Sequence, residues 1–111
     1  MQNKIDLNKT ELRLAVMLVK EGDYIVAYCP ALELSTHGEN EQEAKEFFED
    51  AVNEFLKDTM ESGTLERCLL EYGWSLKKGE YEPPRIEEKI DFSQYHDYKI
   101  ISERITLPEY A

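Results

Sequence analysis

The segment from Val16 to Leu56 constrains the fold more than any other part of the chain. Two runs rich in β-forming residues, Leu12–Lys20 and Tyr24–Cys29, flank the short sequence Glu21–Asp23. A glycine at the centre of such a short connection is typical of a β-hairpin. Pro30 has no backbone N–H to donate, so the second strand is expected to end before it. The sequence therefore predicts an antiparallel hairpin whose first strand, apolar on both faces, is central in the sheet or covered on both sides.

A short third strand and a long helix are predicted next. Glu33–His37 reads as the strand, and Gly38 supplies the backbone freedom for the corner after it. Asn40 is a suitable N-cap, and Glu43 stands three residues later, as in a capping box. Helical spacing over Glu41–Ser62 predicts a buried stripe, with Phe48, Val52 and Phe55 nearly buried. The stripe comprises Ala44, Phe47, Phe48, Ala51, Val52, Phe55, Leu56 and Met60.

The second half of the chain is predicted to hold a short helix and two more strands. Thr64 is a candidate cap for the short helix, Gly73 is suited to its end, and Trp74–Lys77 reads as a strand. The Pro-containing, charged stretch Gly79–Asp91 is typical of a linker, and Ile100–Leu107 alternates like a strand that pairs at a sheet edge.

These patterns predict a small α+β fold. It has a mainly antiparallel sheet of three or four strands with one long helix packed on it, in the order β-β-β-α-(α)-β. Residues 1–78 form the α+β domain in this prediction, and residues 79–111 form an acidic C-terminal arm.

The charge balance favours a basic protein partner over a nucleic acid. The 111 residues include 13 basic and 24 acidic side chains, a net charge of −11. Ten acids and two lysines lie between Glu39 and Glu66, a balance of −8 on the long helix and its flanks. Such a surface repels phosphates and attracts Lys- and Arg-rich partners. Glu46, Glu49 and Asp50 are the candidate contact residues, although a merely solvated helix face explains the same pattern.

No constellation of catalytic residues is recognisable, so the chain is not expected to be an enzyme. The first strand carries no acid inside it, and His37 and His96 stand alone. A hydrolase using His37 would need an orienting acid that the sequence does not show. Cys29 and Cys68 are widely spaced in apolar runs and are expected to be free thiols. No metal or cofactor is predicted, and neither a signal peptide nor a membrane span is visible.

DNA binding by this chain alone is not expected. Residues 103–110 resemble the first strand of a ribbon-helix-helix domain, but the two helices that such a domain needs do not follow. No helix-turn-helix pattern or basic helix occurs elsewhere.

The sequence resembles the HicB-like antitoxin family over roughly residues 14–56. The family pattern is an aromatic-x-Pro-x-Leu segment, a short strand that ends on glycine, and a helix that begins with Glu-Ala. Its counterparts here are Tyr28, Pro30, Leu32, Gly38, Glu43 and Ala44. The resemblance implies a partial ribonuclease H-like fold without catalytic acids. It also implies an antitoxin that occludes a HicA-like mRNA interferase, a small basic toxin.

Two hypotheses for the function follow. The first is this antitoxin, a cytoplasmic, non-catalytic inhibitor. The second is an orphan HicB-like domain that serves as a homo-oligomeric interaction module or binds a small ligand. In either case a homo-oligomer, most simply a dimer, is expected, because the family tends to dimerise and the core is small. The strand residues Ile101, Ile105 and Leu107 are the candidate oligomer arm.

Overall fold

The computed structural model describes residues 11–77 and 80–106. Within these residues the chain forms six strands, two α-helices and two single-turn 3₁₀ helices. In chain order these are β1 (Glu11–Glu21), β2 (Tyr24–Cys29), β3 (Leu34–Gly38), α1 (Glu41–Ser62), α2 (Leu65–Glu71), β4 (Ser75–Lys77), β5 (Glu80–Glu82), the 3₁₀ turns Ile86–Glu88 and Phe92–Gln94, and β6 (Tyr98–Thr106).

Four of the strands form one antiparallel sheet in the order β3-β2-β1-β6, and α1 packs on it. The other two, β4 and β5, form a small separate hairpin. The predicted α+β fold, with its long helix at Glu41–Ser62, is confirmed. The longest ladder joins β1 to β6, from Glu11 opposite Thr106 to Val19 opposite Tyr98. Strand β6 therefore returns to β1 of the same chain.

Local sequence signals set the ends of α1. The Asn40 side chain accepts a hydrogen bond of 2.8 Å from the Glu43 amide, as the N-cap prediction requires. The Glu43 carboxylate in turn accepts from the amide of Glu39, one residue before the cap, at 2.8 Å. At the other end Gly63 has a φ of +73°, and its amide and that of Thr64 satisfy the last helical carbonyls.

The helix-facing side of the sheet carries the main core. Ala44, Phe48, Val52 and Leu56 of α1 have no exposed surface. They meet buried side chains from three strands, namely Leu14, Val16, Leu18, Ala27, Cys29 and Ile105. The apolar spacing of α1 matches the helical repeat, so one face of the helix is continuously apolar. This face fixes α1 against the sheet and turns the opposite helix face to solvent.

The other side of the sheet is covered by the segment that follows β5. Met17 and Val19 of β1 and Ile90 are buried there. Partly buried side chains complete this second cluster: Val26, Tyr28, Ile86, Phe92 and Tyr95. The interpretation of residues 79–91 as a linker is therefore incomplete, because part of this stretch forms β5 and a 3₁₀ turn and packs on the sheet. Buried side chains on both faces of β1 confirm the predicted double cover.

Two side-chain contacts tie the β4–β5 region to the body of the fold. The Trp74 indole N–H donates to the Ala31 carbonyl at 2.7 Å, in a buried position. The Tyr81 hydroxyl donates to the Glu66 carboxylate of α2, and burial together with this bond raises the pKa of Tyr81 to about 12. The small hairpin is thereby held to α2 and to the loop after β2.

Several local predictions need correction. Glu33 has a φ of +55°, so it belongs to the turn and β3 begins at Leu34. Thr64 makes no side-chain cap bond to α2; its hydroxyl lies 2.7 Å from that of Ser62. Phe47 is 45% exposed and Phe55 is only partly buried, so neither belongs to the fully buried stripe. Both lie at one margin of the helix face that packs on the sheet, and not at its centre.

Candidate partner-binding surface

The solvent face of α1 is a ridge of carboxylates. Glu46, Glu49 and Asp50, the predicted contact residues, are all exposed on it. We use the term acidic ridge for the exposed acids of α1: Glu46, Glu49, Asp50, Glu54, Asp58 and Glu61. Lys57 is the one exposed base on this helix. The ridge follows from the helical repeat, because the apolar stripe occupies the opposite face.

Charge on the ridge is poorly neutralised by the residues that the structure describes. Gln42 donates a 2.9 Å hydrogen bond to Glu46, which orients that carboxylate without adding a positive charge. No described residue forms an ion pair with Glu46, Glu49 or Asp50. The ridge therefore presents a strong negative field to the solvent.

One carboxylate of β6 adds to this field. Glu103 lies on the helix-facing side of its strand, half-buried beside α1. Burial is the largest cause of the raised pKa of Glu103. The neighbouring Glu49 charge raises this pKa further, and the Lys45 charge lowers it. Two carboxylates, Glu49 of α1 and Glu103 of β6, thus lie close together at the border between these elements.

An aromatic stripe borders the ridge on the side away from β6. We define it as Phe47, Ala51, Phe55 and Tyr72; the first three are one helical turn apart. The rings of Phe55 and Tyr72 are 6.3 Å apart in a tilted arrangement. Partly exposed aromatic side chains beside a charged rim are typical of protein interfaces. Sequence reasoning missed this feature, because the helical spacing of Phe47 fits the core stripe equally well.

The six motif residues build the scaffold rather than this surface. Pro30 and Leu32 are fully buried in the turn after β2, and Ala44 is fully buried at the start of α1. A Cβ at Gly38 would lie 2.6 Å from the Ala44 nitrogen, so only glycine allows the end of β3 to approach α1 this closely.

The remaining motif residues act in the same structural way. Glu43 completes the cap of α1, and Tyr28 packs in the second cluster on the opposite face of the sheet. Burial raises the pKa of the Tyr28 hydroxyl. The motif therefore fixes the corner between the sheet and α1, which sets the direction of the acidic ridge.

The histidines and cysteines are not assembled into a reactive site in the described part of the chain. His37 is exposed on β3 and makes an edge-to-face contact with Tyr24, with ring centroids 5.4 Å apart. No carboxylate of residues 11–77 or 80–106 lies within hydrogen-bond distance of it. Cys29 and Cys68 are free, and burial raises the pKa of the Cys29 thiol. The residues that the structure describes include no group of side chains that could hold a metal ion.

Shallow cavities lined by described residues flank the sheet, and two of them concern the site. One, of about 330 Å³, lies near the start of α1 and holds the 3.0 Å ion pair between Lys99 and Glu41. Its charges, from Lys20, Lys99, Glu41 and Asp97, compensate one another. The other, of about 230 Å³, lies on the opposite face between Tyr28 and Tyr95. Neither cavity directs an unpartnered buried polar group at a ligand within the described residues.

The predicted arm residues lie inside the fold of their own chain. Ile105 is 3% exposed in the main core, and Ile101 is partly buried against it. Leu107 lies outside the described residues. The strand that carries the isoleucines pairs with β1, so its inner edge is occupied and its outer edge borders no other described strand.

No protein-family model, curated protein or solved structure matches this chain. In the described residues, no helix combines the length and apolar character that a membrane crossing requires.

Proposed function

We propose that the protein is a non-catalytic, antitoxin-like inhibitor that acts in the cytoplasm. In this proposal it binds and occludes a small basic toxin of the HicA-like mRNA interferase type. The acidic ridge is the observation that carries the proposal. Its three central residues, Glu46, Glu49 and Asp50, are exposed together on one helix and lack cationic partners among the described residues.

Electrostatics gives the ridge its proposed role. A cluster of carboxylates on a rigid helix accelerates the encounter with a Lys- and Arg-rich protein, and salt screens that attraction. The screening length is about 8 Å at 0.15 M ionic strength, so the association rate falls as salt rises beyond it. The same field repels duplex DNA, whose affinity for proteins depends on cationic side chains.

The aromatic stripe supplies the apolar part of the proposed interface. Phe47 and Phe55 lie beside the ridge, so a partner held by charge would also cover partly exposed rings. Aromatic anchors inside a polar rim carry much of the binding energy in protein complexes. The ridge would then govern the association rate, and the stripe would govern the lifetime of the complex.

Charge reversal tests the proposal. The triple variant Glu46→Lys, Glu49→Lys and Asp50→Lys changes the net charge from −11 to −5, since each reversal adds two charges. A matched variant reverses the exposed acids Asp23, Glu71 and Glu87 and reaches the same net charge. Association of each with the basic protein encoded beside its gene is measured by stopped-flow mixing across a salt series.

The ridge variant should associate at least about tenfold more slowly than the matched variant and lose most of its salt dependence. Equal rates for the two variants would show that only net charge matters and would contradict the ridge as the contact surface. If no basic protein is encoded nearby and none is captured from the native host, the orphan-domain hypothesis is favoured instead.

A further inference from the structure

The outer edge of β6 is long and carries side chains suited to pairing. The strand closes one end of the sheet, and β1 occupies its inner edge along nine residue pairs. No other described strand borders its outer edge. Unpaired edge strands of this length invite pairing with another strand unless charge or geometry prevents it.

The ladder with β1 shows which backbone groups face outward. The Lys20 amide donates to the Asp97 carbonyl at 3.2 Å, which makes this a hydrogen-bonded pair. In antiparallel ladders such pairs alternate with pairs that exchange no bonds. Odd-numbered residues of β6 therefore bond to β1, and Tyr98, Ile100 and Ser102 direct their N–H and C=O groups outward.

We propose that two copies of this chain join through the outer edges of β6, antiparallel and centred on Ile101. The two four-stranded sheets then form one continuous sheet across a two-fold axis. Ile100 forms hydrogen-bonded pairs with Ser102 of the second copy. Ile101 faces its own counterpart on the helix side.

Charge complementarity selects this register. Centring on Ile101 places Lys99 opposite Glu103 of the second copy, and the two-fold axis repeats the pair. Both residues lie in non-hydrogen-bonded positions, where opposite Cα atoms approach to about 4.5 Å. Cross-strand pairs of opposite charge stabilise a sheet, and like charges destabilise it.

Shifting the centre along the strand removes the match. Centring on Glu103 opposes two carboxylates, and centring on Ile100 sets Asp97 against Glu103. Centring on Ser102 places Lys99 opposite Ile105 and Glu103 opposite Ile101, so neither charged side chain has a charged partner. Registers that place an even-numbered residue opposite an odd-numbered one are excluded. In such registers the N–H and C=O groups of one residue would point toward the second copy, while those of the residue opposite would point toward its own β1.

The surroundings of the two charged residues fit this pairing. Glu103 lies beside Glu49, so an additional cation would relieve a local excess of negative charge. Among the described residues Lys99 has one ionic partner, the exposed Glu41, and such an exposed pair contributes little to stability. Tyr98 and Ile100, 39% and 41% exposed, lie on the opposite face of the same edge and would be partly covered.

A charge-swap experiment tests the register. Dimer dissociation constants are measured by sedimentation equilibrium for the intact chain, Lys99→Glu and Glu103→Lys. Each variant alone places like charges opposite at both positions, and its dissociation constant should rise at least about tenfold. An equimolar mixture of the two variants restores both pairs and should form heterodimers about as tightly as the intact chain.

The design separates this register from general charge repulsion. Glu103→Lys makes the net charge less negative, from −11 to −9, and yet should weaken the dimer. Lys20→Glu, an exposed reversal on β1 that matches Lys99→Glu in charge, should leave the dimer unchanged. A monomer at about 100 µM for the intact chain, or single variants that dimerise normally, would overturn the proposal.

A backbone variant separates edge pairing from an exchange of β6 between copies. Ser102→Pro removes an outward N–H and leaves the bonds to β1 in place, so it should abolish an edge-paired dimer. Ser102→Ala keeps that N–H and should remain dimeric. A Ser102→Pro protein with a native circular dichroism spectrum that is still dimeric would indicate strand exchange and overturn the proposal.

Discussion

The two faces of the sheet are covered by very different kinds of structure. The helix side is packed by α1, whose apolar stripe leaves Phe48, Val52 and Leu56 with no exposed surface. The opposite side is covered by two 3₁₀ turns and the chain around them, and of the described residues only Met17, Val19 and Ile90 form its buried cluster. A regular helix presents an apolar side chain on every turn, whereas short turns present few. The sheet thus has a well-packed core on its helix side. On the other side it has a cover with few buried side chains, which we call the thin cover.

The thin cover depends on a few side-chain contacts. Lys89 forms a half-exposed ion pair with Glu33, with the nitrogen and oxygen 3.5 Å apart. The ring of Phe92 stacks on that of Tyr98, with centroids 5.4 Å apart. Such exposed contacts contribute less than buried apolar packing. We therefore expect the cover to open locally while the helix side stays folded.

The largest expected effect comes from truncating the helix-side core. Phe48→Ala should lower the free energy of unfolding by about 3–5 kcal/mol, because a large buried ring leaves a cavity. Phe55→Ala, one of the aromatic stripe, should cost only about 1–2 kcal/mol because its ring is partly exposed. Urea denaturation with linear extrapolation measures both. Similar losses for the two variants would contradict the difference in burial.

A smaller effect is expected on the other face. Ile90→Ala should cost about 2 kcal/mol, since the thin cover can relax around the missing atoms, whereas Leu56→Ala on the helix side should cost about 3–4 kcal/mol. Native-state hydrogen exchange adds a second measurement. Amides of residues 86–95 should exchange through local opening, faster than those of α1. Equal protection of both regions would show that the two faces unfold as one unit.

The smallest effect concerns the charged border of the helix side. Because the Glu49 charge contributes to the raised pKa of Glu103, Glu49→Gln should bring that pKa toward its ordinary value near 4.5. A raised carboxyl pKa opposes folding above that pKa, where Glu103 is ionised in the folded and unfolded states alike. Because solvent screens much of the interaction between these partly exposed carboxylates, the variant should gain well under about 1 kcal/mol of stability at pH 7.

This gain has a defined pH window. It should shrink as the pH falls through the pKa of folded Glu103 and vanish below its ordinary value, where both states are protonated. Carbon-13 titration of the Glu103 carboxyl and urea midpoints at pH 7 and pH 4 provide the two measurements. Glu54→Gln, at an exposed position of the acidic ridge, is the control. If it changes the titration of Glu103 as much as Glu49→Gln does, the effect is not specific to Glu49.

Local signals in the sequence predicted α1 closely. The Asn40 cap and the apolar repeat predict a helix at Glu41–Ser62, and that is where it lies. Capping and helical spacing depend on neighbours within a few residues, so they can be read along the chain. The exposure of Phe47 could not be read in this way, because it depends on where the sheet ends beside the helix. For the same reason the aromatic stripe emerged only from the structure.

The hairpin, the long helix and the acidic character of its outer face follow from local patterns in the amino-acid sequence. Each depends on local backbone preference or on a periodic pattern of apolar and charged residues. The pairing of β6 and the cover on the second face of the sheet depend instead on contacts between residues that are distant in the chain. Ile101 and Ile105 alternate in a way that suits either a neighbouring subunit or the same chain. The edge of β1 lies many residues away in the sequence. This edge and the apolar side chains beside it decide that β6 pairs within its own chain.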